Sequence, residues 1–529
     1  MTYDVIIVGA GPTGLALAIE LGDRGLRVAV LERHRGIYPL PRAVHLDDEV
    51  YRILHDLGVG DAFGAISQPA RGMRLLDADH ALLAQFERRS KAGAGLPQAN
   101  MFDQPELERL LRDRVATLPT VELHAGVMVQ ALAQDPTGVV ADTVDADEPT
   151  RGQTRFRGRF LVGCDGANSV VARHIGSRPE VLGAEQRWLV VDVRSERRCG
   201  DWNGVDQVCD VRRARTFMPV GPDRYRWEFQ LLEHETPGDY ADIPRLRPRL
   251  MPWIDGITDD ELEVMRIAEY TFRARVEQRW RERRIFIAGD AAHLTPPFIG
   301  QGLGAGLRDA VNLGWKLARV SRGASTPDLL DSYAAERRPH AREMVRRAVL
   351  VGRAMTGRGL RALARRWLLP QLRHVPSMSA WILDSVTPPL TGPLIDSSLP
   401  RSVRGGLLPL VVLPSDAGEV WVDAALGRDF GIVADVRSAV DELARRLGVP
   451  IVRVRADAEH AGLRHLSSWL CSMRADYAVV RPDRTVLAAG RAPQGTPMLL
   501  TPPLLHFAQE FSGAPARHTT RFNDRQARA

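Results

Sequence analysis

The first 32 residues leave this chain very few folds. Residues 4–8 form a nearly continuous apolar run of the kind a buried parallel strand shows, and the run stops at glycine. The sequence Gly9-x-Gly11-x-x-Gly14 follows. Gly9 permits a tight turn, Gly11 removes the side chain that would block a pyrophosphate, and Gly14 lets the next helix pack closely on the strand. That helix, predicted over 13–24, aims its N-terminal amides and its dipole at the phosphates. A second strand over 27–31 ends in Glu32, an acid placed to accept hydrogen bonds from a ribose. An acid there disfavours a phosphorylated ribose, so FAD or NAD fits this unit better than NADP.

About 280 residues later a second motif narrows the choice. Gly289-Asp290-Ala291-Ala292-His293 follows the buried run 284–288, and Pro297, Gly300, Gly302 and Gly304 then lead toward a helix beginning near Gly306. Asp290 is suited to a ribityl hydroxyl, and the loop glycines let backbone amides and the helix N-terminus approach a flavin ring. Asp165-Gly166, after the apolar run 160–162, is by itself an ordinary turn and gains meaning only from its two partners. His293, next to the flavin aspartate, reads as structural.

At 529 residues the chain exceeds a single hydrophobic core. The fold expected is α/β: a Rossmann-like FAD-binding domain, an inserted substrate domain built on a mostly antiparallel sheet, and a small C-terminal α/β domain, thioredoxin-like in outline. The segments are 1–180 and 276–390 for the two parts of the FAD domain, 181–275 for the insert and 395–529 for the C-terminal domain with a disordered tail. Pro339 should kink or divide the helix over 332–355, and Glu336, Arg337, Arg338, Glu343, Arg346 and Arg347 along it read as a solvated face. The C-terminal domain has no CxxC, so an assembly role, as in a homodimer, suits it better than redox exchange.

The net charge is +6, yet Lys91 and Lys316 are the only lysines and the arginines are scattered among acids, which argues against nucleic acid. Cys164, Cys199, Cys209 and Cys471 have no metal-ligand spacing, so no metal site is expected. The cysteine usage fits a reducing compartment, and no apolar run approaches the length of a membrane span or a leader, so a cytoplasmic location is expected.

Taken in order, Gly9/Gly11/Gly14, Asp165-Gly166, Gly289-Asp290 and the stretch 308–317 resemble the single-component FAD-dependent aromatic hydroxylases, the p-hydroxybenzoate and phenol hydroxylase family. Stretches 41–49, 186–192, 226–229 and 270–275 are most similar to its 3-(3-hydroxyphenyl)propionate hydroxylase branch. The resemblance implies that Glu32, Arg33, Arg42 and Gln104 contact the ribose, phosphates or ribityl chain of FAD, that Asp165 belongs to a motif for FAD and nicotinamide, and that Asp290 holds the ribityl. It implies NADH or NADPH as reductant, dioxygen as co-substrate and a flavin hydroperoxide that hydroxylates a small phenolic ring, with water excluded. Gly304 departs from the asparagine many relatives carry there, and His45 from the glycine frequent in that branch.

For phenol deprotonation, Asp48 and His45 are the candidate bases, against the plainer readings of a capping acid and an exposed histidine. For a substrate carboxylate, Arg212, Arg213, Arg215 and Arg226 are candidate forks. Two other activities stay open: hydroxylation or Baeyer-Villiger oxygen insertion on a polyketide-type product, and a flavoprotein dehydrogenase without productive oxygen transfer.

Overall fold

A computed structural model describes residues 2–38, 43–88, 95–150, 152–356, 387–416 and 418–492. Contacts divide the chain into two units. The first runs to Ala310 and resumes over Ala341–Thr387; the second comprises Val311–His340 and the chain from Pro388 onward.

In the first unit one sheet places Arg281–Glu282, Ile285–Ile287, Gln153–Gly163, Thr2–Val8, Val28–Glu32 and Val121–Ala125 side by side. The four strands from Ile285–Ile287 to Val28–Glu32 run parallel, as does Val121–Ala125 beyond them. Val5, Ile6, Ile7, Val28, Ala29 and Val30 are fully buried, which is why these stretches read as unbroken apolar runs. All three glycine motifs and Glu32 therefore emerge at the carboxyl ends of adjacent parallel strands, where ligands bind in open α/β sheets.

The second sheet has eight strands in the order His293–Leu294, Glu263–Glu277, Pro179–Arg194, Arg224–Gln230, Arg215–Pro219, Val205–Val208, Gly72–Leu76, Leu82–Glu87. It is antiparallel except where Val205–Val208 meets Gly72–Leu76. The last two strands come from well before residue 181, so the sheet recruits sequence that local patterning assigned to the flavin domain. One face is apolar: Leu189, Val191, Phe217, Tyr225, Trp227 and Phe229 pack with Ile243, Leu246 and Leu250 of the helix Ile243–Leu250. The alternate residues of the same strands form the opposite face.

In the second unit, Ile451–Val454, Gly431–Asp435, Tyr477–Val480 and Val486–Gly490 make a four-stranded sheet, parallel across the first pair and antiparallel across the others. With the helices Asp441–Leu447 and Ala461–Ser472 this is the thioredoxin-like outline. The expected helix over 332–355 is a single helix, Asp331–Thr356. Pro339 has no N–H to donate to the Ala335 carbonyl, and both residues are exposed, so that carbonyl is open to solvent. The solvated-face reading of this helix needs correction. Glu336 and Arg337 are buried. Glu336 accepts from Arg481 at 2.8 and 2.9 Å, from Lys316 at 2.8 Å and from Asn312 at 3.0 Å. Burial opposes its charge, yet the Arg481 and Lys316 cations hold its carboxyl down at about 2.

Arg42 and the expected disordered tail lie outside the described residues. Among the described residues no helix is long and apolar enough to cross a membrane.

Candidate functional site

A cavity of about 650 Å³ in the first unit runs from the carboxyl ends of the parallel sheet to the polar face of the second sheet. At its first end stand Gly9, Gly11, Thr13, Glu32, Arg33, Gln104, Asp165, Asp290, Pro297, Gly300 and Gly302. Three separated motifs interlock to make this end. Gly9 has φ +103°, and a Cβ on it would lie 2.4 Å from the Cys164 carbonyl oxygen. A Cβ on Gly14 would lie 2.0 Å from the Gly9 oxygen. Gly289, at φ +61°, and Gly306 both press on Thr13: a Cβ on the first would come within 2.6 Å of its Oγ1, and one on the second within 2.3 Å. Gly11, by contrast, has nothing within 4 Å of an added Cβ. Its bare backbone faces the cavity, so a side chain there would occupy the path a pyrophosphate takes past the helix Pro12–Gly22.

Carboxylates brace this end. Glu32 accepts from Ala10 N at 2.7 Å and His34 N at 2.9 Å, which ties the glycine turn to the end of the second strand. Asp165 accepts from Ser169 Oγ at 2.5 Å and Val170 N at 2.7 Å; burial raises its carboxyl, and these hydrogen bonds counter the rise. Gln104 Oε1 accepts from Ala43 N at 2.8 Å. Behind the Gly289-Asp290 turn, Asp309 accepts from Gly289 N at 3.0 Å and pairs with His293 Nε2 at 2.7 Å; both side chains are fully buried. His293 is thus engaged with Asp309 behind the turn and does not line the cavity.

The loop after Pro297 differs from expectation. Gly300 is left-handed at φ +63°, and the helix begins at Gly302 rather than near Gly306. Asp47 fixes this region. It caps the helix Asp48–Asp56 through Val50 N at 2.8 Å and accepts from Gln301 Nε2 and Arg308 Nη2, both at 2.9 Å. Arg308 also reaches Glu49 at 2.8 Å. The same arginine explains Gly304: a Cβ there would lie 2.7 Å from Arg308 Nη1 and 2.9 Å from Val50.

The other end of the cavity lies on the second sheet. Trp188, Phe272 and Phe298 form an aromatic wall, with ring centroids 5.4 Å apart for Trp188 and Phe272 and 5.9 Å apart for Trp188 and Phe298. Met73, Met101 and Met218 add polarisable apolar surface. Gln207, Thr216, Arg226, Glu228 and Tyr270 are among the polar residues that this sheet brings to the cavity. Arg226 is committed to Asp192, at 2.7 and 3.0 Å. An apolar pocket with a few convergent polar groups suits an aromatic ring carrying hydroxyls.

Asp48 is absent from the cavity wall. It opens the helix Asp48–Asp56, and burial, helped by the neighbouring Asp47 and Glu49 charges, lifts its carboxyl to about 6. Its proton affinity suits a base; its position does not. His45 does line the cavity, with Arg88 Nη1 donating to its Nε2 at 3.2 Å. Burial and the Arg88 charge push it down to about 4, so it is neutral at pH 7 and a weak proton acceptor. Of the candidate carboxylate forks only Arg226 reaches the cavity. Arg212 pairs with Asp210, Arg213 with Glu235 and Tyr240, and Arg215 contacts His80. Glu228 was missed. Its signal is the strict alternation of the strand Arg224–Gln230, with aromatic residues at 225, 227 and 229 and polar ones between, which sets Glu228 and Arg226 on one face, away from Trp227 and Phe229.

The family model of the FAD binding domain matches residues 2–348. The chain is 32% identical over 503 residues to a probable NADH-specific resorcinol 4-hydroxylase of Rhodococcus jostii (strain RHA1), with 92% of each chain covered. It is also 32% identical over 527 residues to a 3-(3-hydroxy-phenyl)propionate/3-hydroxycinnamic acid hydroxylase of Mycolicibacterium gilvum (strain PYR-GCK), covering 93% of this chain and 90% of that one. Among solved structures, the OxyS anhydrotetracycline hydroxylase from Streptomyces rimosus superposes with a TM-score of 0.73 at 27% identity, covering 98% of this chain and 100% of that one. An interlocked glycine cradle, an aromatic-walled second end and relatives of full length agree, and the chain belongs to the FAD-binding aromatic hydroxylase family: it is an FAD-dependent monooxygenase reduced by a nicotinamide.

Proposed function

We propose that this enzyme hydroxylates the ring of a small phenol, using NADH or NADPH and dioxygen. The observation that carries the reading is a single cavity whose first end is a backbone cradle for FAD and whose second end is an aromatic wall with few polar groups. FAD, when bound, supplies the electron transfer from the nicotinamide and the activation of dioxygen. The residues of this chain bind, orient and exclude water. Gly9, Gly11 and Gly14 open the pyrophosphate path. Glu32, Arg33 and Gln104 hold the ribose, phosphates or ribityl chain, with Arg42 assigned to the same group by resemblance alone. Asp165, Gly289, Asp290, Pro297, Gly300 and Gly302 hold the ribityl and present backbone amides to the ring. Trp188, Phe272 and Phe298 seat the substrate ring and keep water away from it.

The names of the relatives support a phenolic substrate, with resorcinol and 3-(3-hydroxyphenyl)propionate as the two leading probes, and favour NADH. In the same reading the enzyme works in the cytoplasm, and its C-terminal unit joins two copies into a homodimer. The test is NADH and NADPH oxidation by the FAD-loaded protein with and without each phenol, with product mass read alongside. Phenol-stimulated oxidation with a product one oxygen heavier is expected. Stimulated oxidation that yields only hydrogen peroxide with every phenol would overturn the hydroxylase reading.

A further inference from the structure

Among the described residues, Glu228 is the one acid on the sheet face of the cavity. The residue is 8% exposed, and its ion-pair contact is Arg226 Nη1, 3.9 Å from Oε1. Arg226 is itself bound in two-pronged fashion to Asp192, which also takes Arg266 at 2.5 Å. A carboxylate lining a poorly solvated cavity with its cation 3.9 Å away has acceptor capacity that a ligand hydroxyl can fill. Register gives Glu228 polar company: Thr216 is its cross-strand partner, and Gln207 is the partner of Thr216. Thr216 Oγ1 donates to Gln207 Oε1 at 2.8 Å, so a polar stripe crosses three adjacent strands beneath the aromatic wall.

On the sheet side the nearest cations are held by acids, while Arg88, farther along the wall, is bound to His45 and to the Gln98 carbonyl. Besides Arg226 with Asp192, Arg273 pairs with Glu185 at 2.9 Å and Arg347 with Glu343 at 3.0 Å. A substrate carboxylate brought to the sheet face would meet Glu228 as a like charge in a poorly solvated place, a juxtaposition that disfavours binding. A phenolic hydroxyl has the opposite complementarity.

We propose that Glu228 accepts the hydrogen bond of a substrate phenol hydroxyl and, as the ring gains its new oxygen, takes the phenolic proton, so that the enzyme selects neutral polyhydroxylated rings over aromatic carboxylates. This rests on the hydroxylase reading above. The ring carbon takes one oxygen atom of dioxygen as the O–O bond breaks, the nicotinamide supplying two electrons by way of FAD and the second oxygen atom leaving as water, while the phenolic O–H bond breaks toward Glu228 Oε. When the resulting ring ketone recovers aromaticity, its sp3 carbon loses a proton to solvent and Glu228 returns its own proton to the ketone oxygen. Burial, opposed by Arg226, raises the Glu228 carboxyl, which makes it a better proton acceptor than an exposed acid.

The experiment uses the FAD-loaded full chain, with Kd read from the perturbation of flavin absorbance and kcat/KM from product mass, for resorcinol and for 3-(3-hydroxyphenyl)propionate. The wild type should prefer resorcinol. Glu228→Gln should keep its flavin and lose at least about tenfold of that preference, with a lower kcat on resorcinol. Glu228→Asp, which keeps the charge but withdraws it by one methylene, should retain the preference and lose rate. A wild type that prefers the carboxylate, or a flavin-replete Glu228→Gln with unchanged discrimination, overturns the inference and leaves the hydroxylase reading standing. NADH oxidation that oxygenates neither phenol in any variant overturns the hydroxylase reading, and this inference with it.

Discussion

The two ends of the cavity are built from different materials. The flavin end is backbone: turns at Gly9 and Gly289 with positive φ, a bare Gly11, and carboxylates whose visible partners are largely amides. The substrate end is side chain: aromatic rings and a polar stripe set by the register of three strands. A backbone cradle tolerates almost no substitution and serves one cofactor. A side-chain wall can be rewritten residue by residue without moving the sheet, which is how one fold comes to serve many phenols.

If that contrast is right, damage at the flavin end should be large and indifferent to substrate. The largest effect is expected at the network behind the loop. Arg308→Met leaves Asp47 and Glu49 with a lost cation, and breaking a buried pair costs about 3–5 kcal/mol. A sharp drop in Tm with weakened flavin retention is expected, and a Tm within about 2 °C of wild type would count against the network. Next comes Gly9→Ala, which combines a φ of +103° with a Cβ 2.4 Å from the Cys164 oxygen. About 3 kcal/mol of strain, or roughly a hundredfold weaker FAD binding, should appear in a flavin titration. Asp290→Ala should be milder, at about 1–3 kcal/mol for lost hydrogen bonding, read as faster FAD loss on dilution with the substrate preference intact.

Asp48 provides the smallest effect and a useful control. Because it lies off the cavity wall, Asp48→Asn should leave kcat within about twofold of wild type, since rate effects of catalytic acids and bases run much larger. Its folded carboxyl sits at about 6 against an ordinary 3.8. Below about pH 4 both states are protonated and nothing is lost; as pH rises through about 6 the folded state must carry a disfavoured charge and loses stability. The asparagine variant should therefore gain roughly 1 kcal/mol at pH 7 and nothing near pH 4, measured as Tm against pH. A large fall in turnover instead would return Asp48 to the catalytic machinery.

The same contrast explains what the sequence revealed. Gly9, Gly11, Gly14, Glu32, Asp165 and Asp290 were legible because each motif is local, and the order of strand, turn and helix is written in consecutive residues. The substrate wall was not. Glu228, Thr216 and Gln207 meet only through pairing of strands, and the strands 72–76 and 82–87 join that sheet from over a hundred residues away. Asp48 stayed open between two readings because an acid in a functional loop looks alike whether it opens a helix, as here behind the Asp47 cap, or faces a ligand. Lys316 and Glu336 hid for a related reason: charges spaced along a helix look solvated until Arg481 of a later segment buries them.

The most direct measurement is turnover of resorcinol by the FAD-loaded enzyme under isotopically heavy dioxygen, followed by mass spectrometry of the product. One heavy oxygen in a ring-hydroxylated product is the expected result, since it requires flavin end and phenol end to act on one another within a single water-excluding cavity. Consumption of NADH with the heavy label recovered only in hydrogen peroxide or water, for resorcinol and for 3-(3-hydroxyphenyl)propionate alike, would contradict it.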